Sequence, residues 1–247
     1  PRVLKFYDKV GADGLWVPRG YLRQLILTCR QMGVEHRIED RRRRLPPVDF
    51  DFRAELRPFQ QTAVEQMLPR DFGTLSAPTG SGKTVMALAL VVRRRQPAII
   101  VVHTKDLASQ WVERIETFLG IPPAECGMIA GGRVRAGERI TVALVQSLYK
   151  CADQMAGRIG FIVVDECHRC PSRIFTEAVT CFDSMYMLGL SATPYRRDNL
   201  SRLIFWHLGD VHHEVDKSGL VDTGEVLEAE GGTRETEVRP YHAPVSE

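Results

Sequence analysis

The string Ala77-Pro78-Thr79-Gly80-Ser81-Gly82-Lys83-Thr84 has the residue types and spacing of a loop that wraps nucleotide phosphates: a small residue, four more, then Gly-Lys and a hydroxyl. In such a loop the backbone N–H groups of Thr79, Gly80, Ser81 and Gly82 turn inward on the phosphates. Lys83 reaches the β- and γ-phosphates, and the Thr84 hydroxyl takes one position on Mg²⁺. About eighty residues later comes Asp165-Glu166-Cys167-His168, directly after the apolar run Gly160 to Val164. A run of that length reads as a buried strand with the acids at its carboxyl end. There Asp165 would hold the metal and Glu166 would polarise a water for in-line attack on a γ-phosphate. Together the two strings point to ATP and Mg²⁺ as cofactors and to hydrolysis as the chemistry.

Positioning these groups requires alternating strands and helices. Helical patterns cover Pro58 to Leu68, Lys83 to Arg94, Lys105 to Phe118 and Ser172 to Cys181. Strand patterns cover Phe72 to Ser76, Ala98 to Val102, Gly127 to Ala130, Ile140 to Val145, Phe161 to Val164 and Tyr186 to Leu190. This order predicts an α/β domain, a parallel sheet covered by helices on both faces, with its sites at the carboxyl ends of the strands. Residues 1–50 are expected to form a small α+β accessory segment. It has strands at Val3 to Tyr7 and Gly14 to Pro18 around a turn from Asp8 to Asp13, and a helix from Tyr21 to Gln31. Residues 51–216 form the nucleotide domain, and the polar residues 217–247 read as an exit linker with candidate edge strands at Glu225 to Glu230 and Arg234 to Arg239.

Composition narrows the class without naming a partner. A hydrophobic share of 44% suits a globular chain, and the longest apolar runs, such as Val85 to Val92, are too short to span a bilayer. Six cysteines without a paired framework predict reduced thiols and a cytoplasmic setting. Only Cys167 and Cys170 lie at metal-ligand spacing, and with no second ligand pair zinc is not expected. The net charge of +2 is too small to decide between partners. Its clusters are more informative: Arg37 with Arg41–Arg44 is either a duplex-DNA contact or a solvated linker, and Arg93 to Arg95 complements a helix dipole.

With both nucleotide motifs placed, the remaining strings fall into the order found in superfamily 2 DEAD/DEAH-box (DExH) helicases. From Leu56 to Val215 the chain resembles the first RecA-like motor domain of the xeroderma pigmentosum B-like branch, which lies close to restriction-enzyme motor subunits. The resemblance gives Leu56-Arg57-Pro58-Phe59-Gln60 the part of the adenine-sensing Q motif, with Gln60 on the adenine edge and Arg57 stacked beside the base. It makes Thr104, Gly131, Gln146 and Ser147 nucleic-acid contacts, His168 a relay, and Ser191 and Thr193 the coupling motif. After that motif, Arg197 stands where the branch can carry the glutamate of an Arg-Glu-Asp triplet tied to strand separation. The implied partner is DNA, with RNA an open alternative, and the chain is expected to be a monomer. The motor of a restriction or phage-defence system and a non-hydrolysing binding module are the other readings. No motif of the second motor half follows Val215, so this chain alone is expected to bind nucleotide and turn over weakly or not at all. An arginine finger from that half is worth on the order of 10³–10⁵ in rate.

Overall fold

The computed structural model describes residues 7–12, 14–169, 173–193 and 201–216. An antiparallel hairpin, β1 (Asp8–Val10) and β2 (Gly14–Trp16), leads through a 3-10 turn at Arg19–Tyr21 to helix α1 (Leu22–Gln31). A strand at Asp8–Val10 thus lies inside the expected turn from Asp8 to Asp13, because it pairs with Gly14–Trp16; of the strand expected at Val3 to Tyr7, all but Tyr7 lies outside the described residues. The alternating domain follows: α2 (Pro58–Met67), β3 (Phe72–Ser76), α3 (Lys83–Arg94), β4 (Ala98–Val102), α4 (Lys105–Leu119), β5 (Gly127–Ala130), β6 (Arg133–Arg135) and β7 (Ile140–Leu144). Next come α5 (Val145–Leu148), α6 (Ala152–Ala156), β8 (Phe161–Val164), α7 (Arg173–Thr180), β9 (Tyr186–Ser191), α8 (Ser201–Leu208) and β10 (Val211–Glu214).

Among the described residues eight strands form one sheet in the order β10-β3-β9-β8-β4-β7-β5-β6, parallel throughout except for the antiparallel edge strand β6. The interior strands β4, β7 and β8 are buried at every residue, as strands covered on both faces must be. Their side chains alternate between two cores. Ala98, Ile100 and Val102 of β4 join the buried face of α2, α3 and α4, whereas Ile99 and Val101 join that of α5, α6 and α7. The chain leaves β3 for β4, three places away, and later fills the gap with β8 and β9. That crossing brings the loops after β3, β9 and β8 side by side.

The segment between α1 and α2 runs along the amino ends of the strands, away from those loops. Leu45 exchanges two hydrogen bonds with the Gln96 side chain, Val48 donates to the Arg95 carbonyl, and Arg53 donates to that of Phe118. The arginine run is part of this packing. Arg42 pairs with Asp40 at 2.8 Å and Asp71 at 3.2 Å, Arg43 pairs with Asp183 at 2.7 Å, and Arg44 lies over the Tyr186 ring and donates to its hydroxyl. Arg41, Arg43 and Arg44 are exposed, and Arg41 pairs with the nearby Glu39. Three of the four cations thus also hold the segment to its own domain. Arg94 also lies over the Tyr186 ring, 4.1 Å from its centre, and Arg95 pairs with Asp49.

Arg19 anchors the hairpin unit. Its guanidinium donates to the carbonyls of Ser184 at 2.8 Å and Phe182 at 3.0 Å, and burial, helped by the Arg42 charge, lowers its pKa to about 10. It remains charged at neutral pH. Replacing it by alanine strips two buried carbonyls of a charged donor, an expected loss of about 2 kcal/mol. Urea denaturation of Arg19→Ala checks this, with Arg23→Ala as a control, since Arg23 reaches Asp210 only at 3.8 Å and is 83% exposed. Equal midpoints for the two variants would remove the anchoring role.

Candidate nucleotide and nucleic-acid sites

The phosphate-loop string closes the turn between β3 and α3. Gly80 and Gly82 take φ of +84° and +83°, left-handed values that side-chain-bearing residues rarely adopt. A Cβ on Gly82 would also lie 2.4 Å from Gln60 Nε2 and would push that amide aside. Gly82 caps α3 without a side-chain bond, leaving the helix N-terminus and its N–H groups facing the loop. Lys83 folds over the same loop, with Nζ donating to the Ala77 carbonyl at 2.9 Å and that of Pro78 at 3.2 Å. Burial lowers the Lys83 pKa, and the charges of Glu166 and Asp165 push it partly back. Thr79 and Gly80 are exposed, Ser81 is buried with its hydroxyl on the Pro78 carbonyl, and Thr84 sits half-buried in the first turn of α3.

The acids end β8. Asp165 is 8% exposed, its N–H bonded to the Val101 carbonyl of β4. Each carboxylate oxygen accepts one bond: Oδ1 from the Glu166 N–H at 2.9 Å and Oδ2 from the Trp111 indole at 2.8 Å. Glu166 has a φ of +49°, strained for a residue with a Cβ and of the kind that collects at functional sites. Its Oε2 lies 3.3 Å from His168 Nδ1, and the same nitrogen lies 3.0 Å from Ser191 Oγ. Ser191, at the end of β9, sits between the two nucleotide strings. Its carbonyl accepts the Ala77 N–H at 2.9 Å, and its hydroxyl accepts the Thr193 N–H at 3.0 Å. Thr193 thus joins this network through its backbone.

Gln60 is buried, and its amide is engaged within the chain. Oε1 accepts the Arg57 N–H at 3.0 Å, and Nε2 donates to the Ser81 carbonyl at 2.9 Å. It ties α2 to the phosphate loop and keeps one N–H and one lone pair beyond these two bonds. The Arg57 side chain is exposed beside it.

The groups expected to meet nucleic acid lie over the other half of the same sheet edge. Thr104 follows β4 and caps α4, its hydroxyl accepting the Leu107 N–H at 3.2 Å. Gly131 follows β5 in an exposed hairpin turn with a φ of +58°. Gln146 and Ser147 follow β7, and here the expected strand stops at Leu144 so that both residues lie in the short helix α5. Since β4, β7 and β5 are neighbours, the structure brings these four residues to one surface, beside rather than behind the nucleotide loops. Arg197 and the rest of its string, Cys170 and the residues read as a linker lie outside the described residues.

The oxygens present suit a hard, small cation. No group of three or more His, Cys, Asp or Glu residues that could hold a metal exists among the described residues. The Thr84 hydroxyl and Asp165 carboxylate are the one- or two-ligand set that Mg²⁺ takes when phosphates complete its shell. Cys167 is fully buried, and burial pushes its thiol well up, which does not suit a metal thiolate. Trp111 carries a polar contact to the acid that sequence reasoning missed. Its position on the apolar face of α4 marked it only as core, and the one available signal was that a buried indole N–H needs a partner.

Residues 53–196 match the family model described as "Type III restriction enzyme, res subunit". The DNA 3'-5' translocase XPB2 of Sulfurisphaera tokodaii is 38% identical over 149 residues, which cover 60% of this chain and 33% of that protein. Among solved structures, the UvsW helicase of bacteriophage T4 aligns with a TM-score of 0.64 at 18% identity, covering 82% of this chain and 84% of that one. The SWI2/SNF2 ATPase core of Sulfolobus solfataricus in complex with dsDNA aligns at 0.53 and 22% identity, covering 66% and 37%. The fold is RecA-like, with an acid-ended strand beside the loop between β3 and α3. The chain belongs to the family described as type III restriction enzyme, res subunit. It spans about a third of the length of its matched relative.

Proposed function

We propose that the chain is the nucleotide-binding half of an ATP-driven DNA helicase or translocase. The observation that carries this reading is the contact of three loops: Ala77 bonded to Ser191, Ser191 to His168, and His168 to Glu166. ATP with Mg²⁺ would supply a polarised γ-phosphoryl group. The N–H groups at the start of α3 and the Lys83 ammonium bind and orient it, while Thr84 and Asp165 offer the metal-facing oxygens. Glu166 takes the proton of the attacking water, and His168 holds the glutamate against Ser191. A second RecA-like half would close on this face, and DNA is proposed over RNA because the translocase relative is named for DNA. No helix among the described residues is long and apolar enough to cross a membrane. With five described cysteines all free, a cytoplasmic setting is proposed.

Single-stranded DNA would cross Thr104, Gly131, Gln146 and Ser147. Helix N-termini, exposed glycine N–H groups and short polar side chains contact phosphate and sugar, which carry no base information. Titration of a labelled oligonucleotide at two salt concentrations is expected to give weak, nearly sequence-independent binding. The log–log slope should be about −0.7 per phosphate contacted. A Thr104→Ala/Gln146→Ala variant should bind less and with a shallower slope. Binding that ignores both salt and the double substitution would place the track elsewhere. An RNA oligonucleotide of the same sequence bound more tightly would reverse the choice of substrate.

A further inference from the structure

Trp111 lies on the buried face of α4 with Ala108, Ile115 and Leu119, and is 2% exposed. A core aromatic at that spacing needs no other explanation, and its ring does pack there. The indole N–H, however, is bonded across 54 positions to Oδ2 of Asp165 at 2.8 Å. A carboxylate is an unusual choice of partner for a core donor, because it is a charge held at 8% exposure that must also face the nucleotide loop. The bond has a mechanical consequence. The Asp165 main chain is fixed by Val101, Oδ1 by the Glu166 N–H and Oδ2 by the indole, so the carboxylate plane cannot rotate without losing a bond. One lone pair on each oxygen remains directed elsewhere.

From this geometry we propose that Trp111 is a positioning residue for the Mg²⁺-facing carboxylate, its indole N–H presetting the orientation of Asp165. This rests on the nucleotide-site reading given above. Donors behind a metal ligand orient it, and removing one typically costs about 10–100-fold in metal affinity. The effect should appear only where the metal is involved, which separates positioning from packing.

The test is calorimetric titration of ADP into the 247-residue chain, with Mg²⁺ and then with a chelator. It is run for the native chain, Trp111→Phe, and a chain carrying 3-benzothienylalanine at position 111, which keeps the bicyclic shape and replaces N–H by sulfur. Native protein should bind ADP more tightly with Mg²⁺. Both replacements should cut that enhancement by about tenfold, whereas chelated affinities stay close together. Asp165→Asn should lose the enhancement, and adding Trp111→Phe to it should cost nothing more, as for two residues acting through one contact. If the phenylalanine variant fails to fold by thermal melting, the sulfur analogue alone decides. Full enhancement in the folded replacements would overturn the role of Trp111 and leave the nucleotide site standing. Absence of ADP binding by the native chain under both conditions would overturn both.

Discussion

Glu166→Gln is expected to lower steady-state ATP turnover by about 10³-fold with the second motor half present, while nucleotide binding survives. The left-handed backbone at φ +49° turns the side chain back towards His168, with Oε2 at 3.3 Å from Nδ1. In that position the carboxylate is held by an imidazole that is itself fixed on Ser191. An amide keeps the shape but cannot accept a proton from water. Position-matched general bases contribute about 10²–10⁴-fold, so the loss is too large to be confused with a small fold change. The check is a coupled ATPase assay beside a nucleotide titration on the same preparation. Near-native turnover in the glutamine variant would show that Glu166 does not act as the base. Loss of nucleotide binding instead would mean that the strained turn, rather than the carboxylate, is what the substitution removes.

Much of the site is legible because its signals are local. The glycines of the phosphate loop announce positive φ, and Ala98 to Val102 and Phe161 to Val164 can hardly be other than buried strands. What was not legible depends on contacts distant in sequence. Arg42, Arg43 and Arg44 read as a free cationic run because Asp71, Asp183 and Tyr186 are far away along the chain. The bond from Gln60 to the Ser81 carbonyl was not legible either, because nothing local reveals that this carbonyl lies within reach. Val145 extends an apolar run, so α5 was hidden inside the expected strand, although the helix begins at that residue. In β10, Val-His-His-Glu has no alternation of its own and becomes a strand by pairing with β3. Trp111 shows the same limit within the site, since helical spacing explains the ring but says nothing of its N–H.

Nucleotide capture between β3 and α3 is the central claim, and Lys83 is its most exposed element to experiment. Its ammonium is held over the loop by the Ala77 and Pro78 carbonyls at 2.9 and 3.2 Å, where the Glu166 and Asp165 charges oppose its deprotonation. A phosphate arriving at the start of α3 would meet that cation, and charge-assisted hydrogen bonds are worth about 1.5–3 kcal/mol each. Two such bonds predict a loss of at least about 100-fold in ADP affinity when the ammonium is removed. The measurement is isothermal titration of Mg²⁺–ADP into the native chain and its Lys83→Ala variant, both shown to be folded by thermal melting. One-to-one binding by the native chain, weakened at least about 100-fold in the variant, is the predicted result. Equal affinity in the two proteins would contradict the assignment of this loop as the nucleotide site.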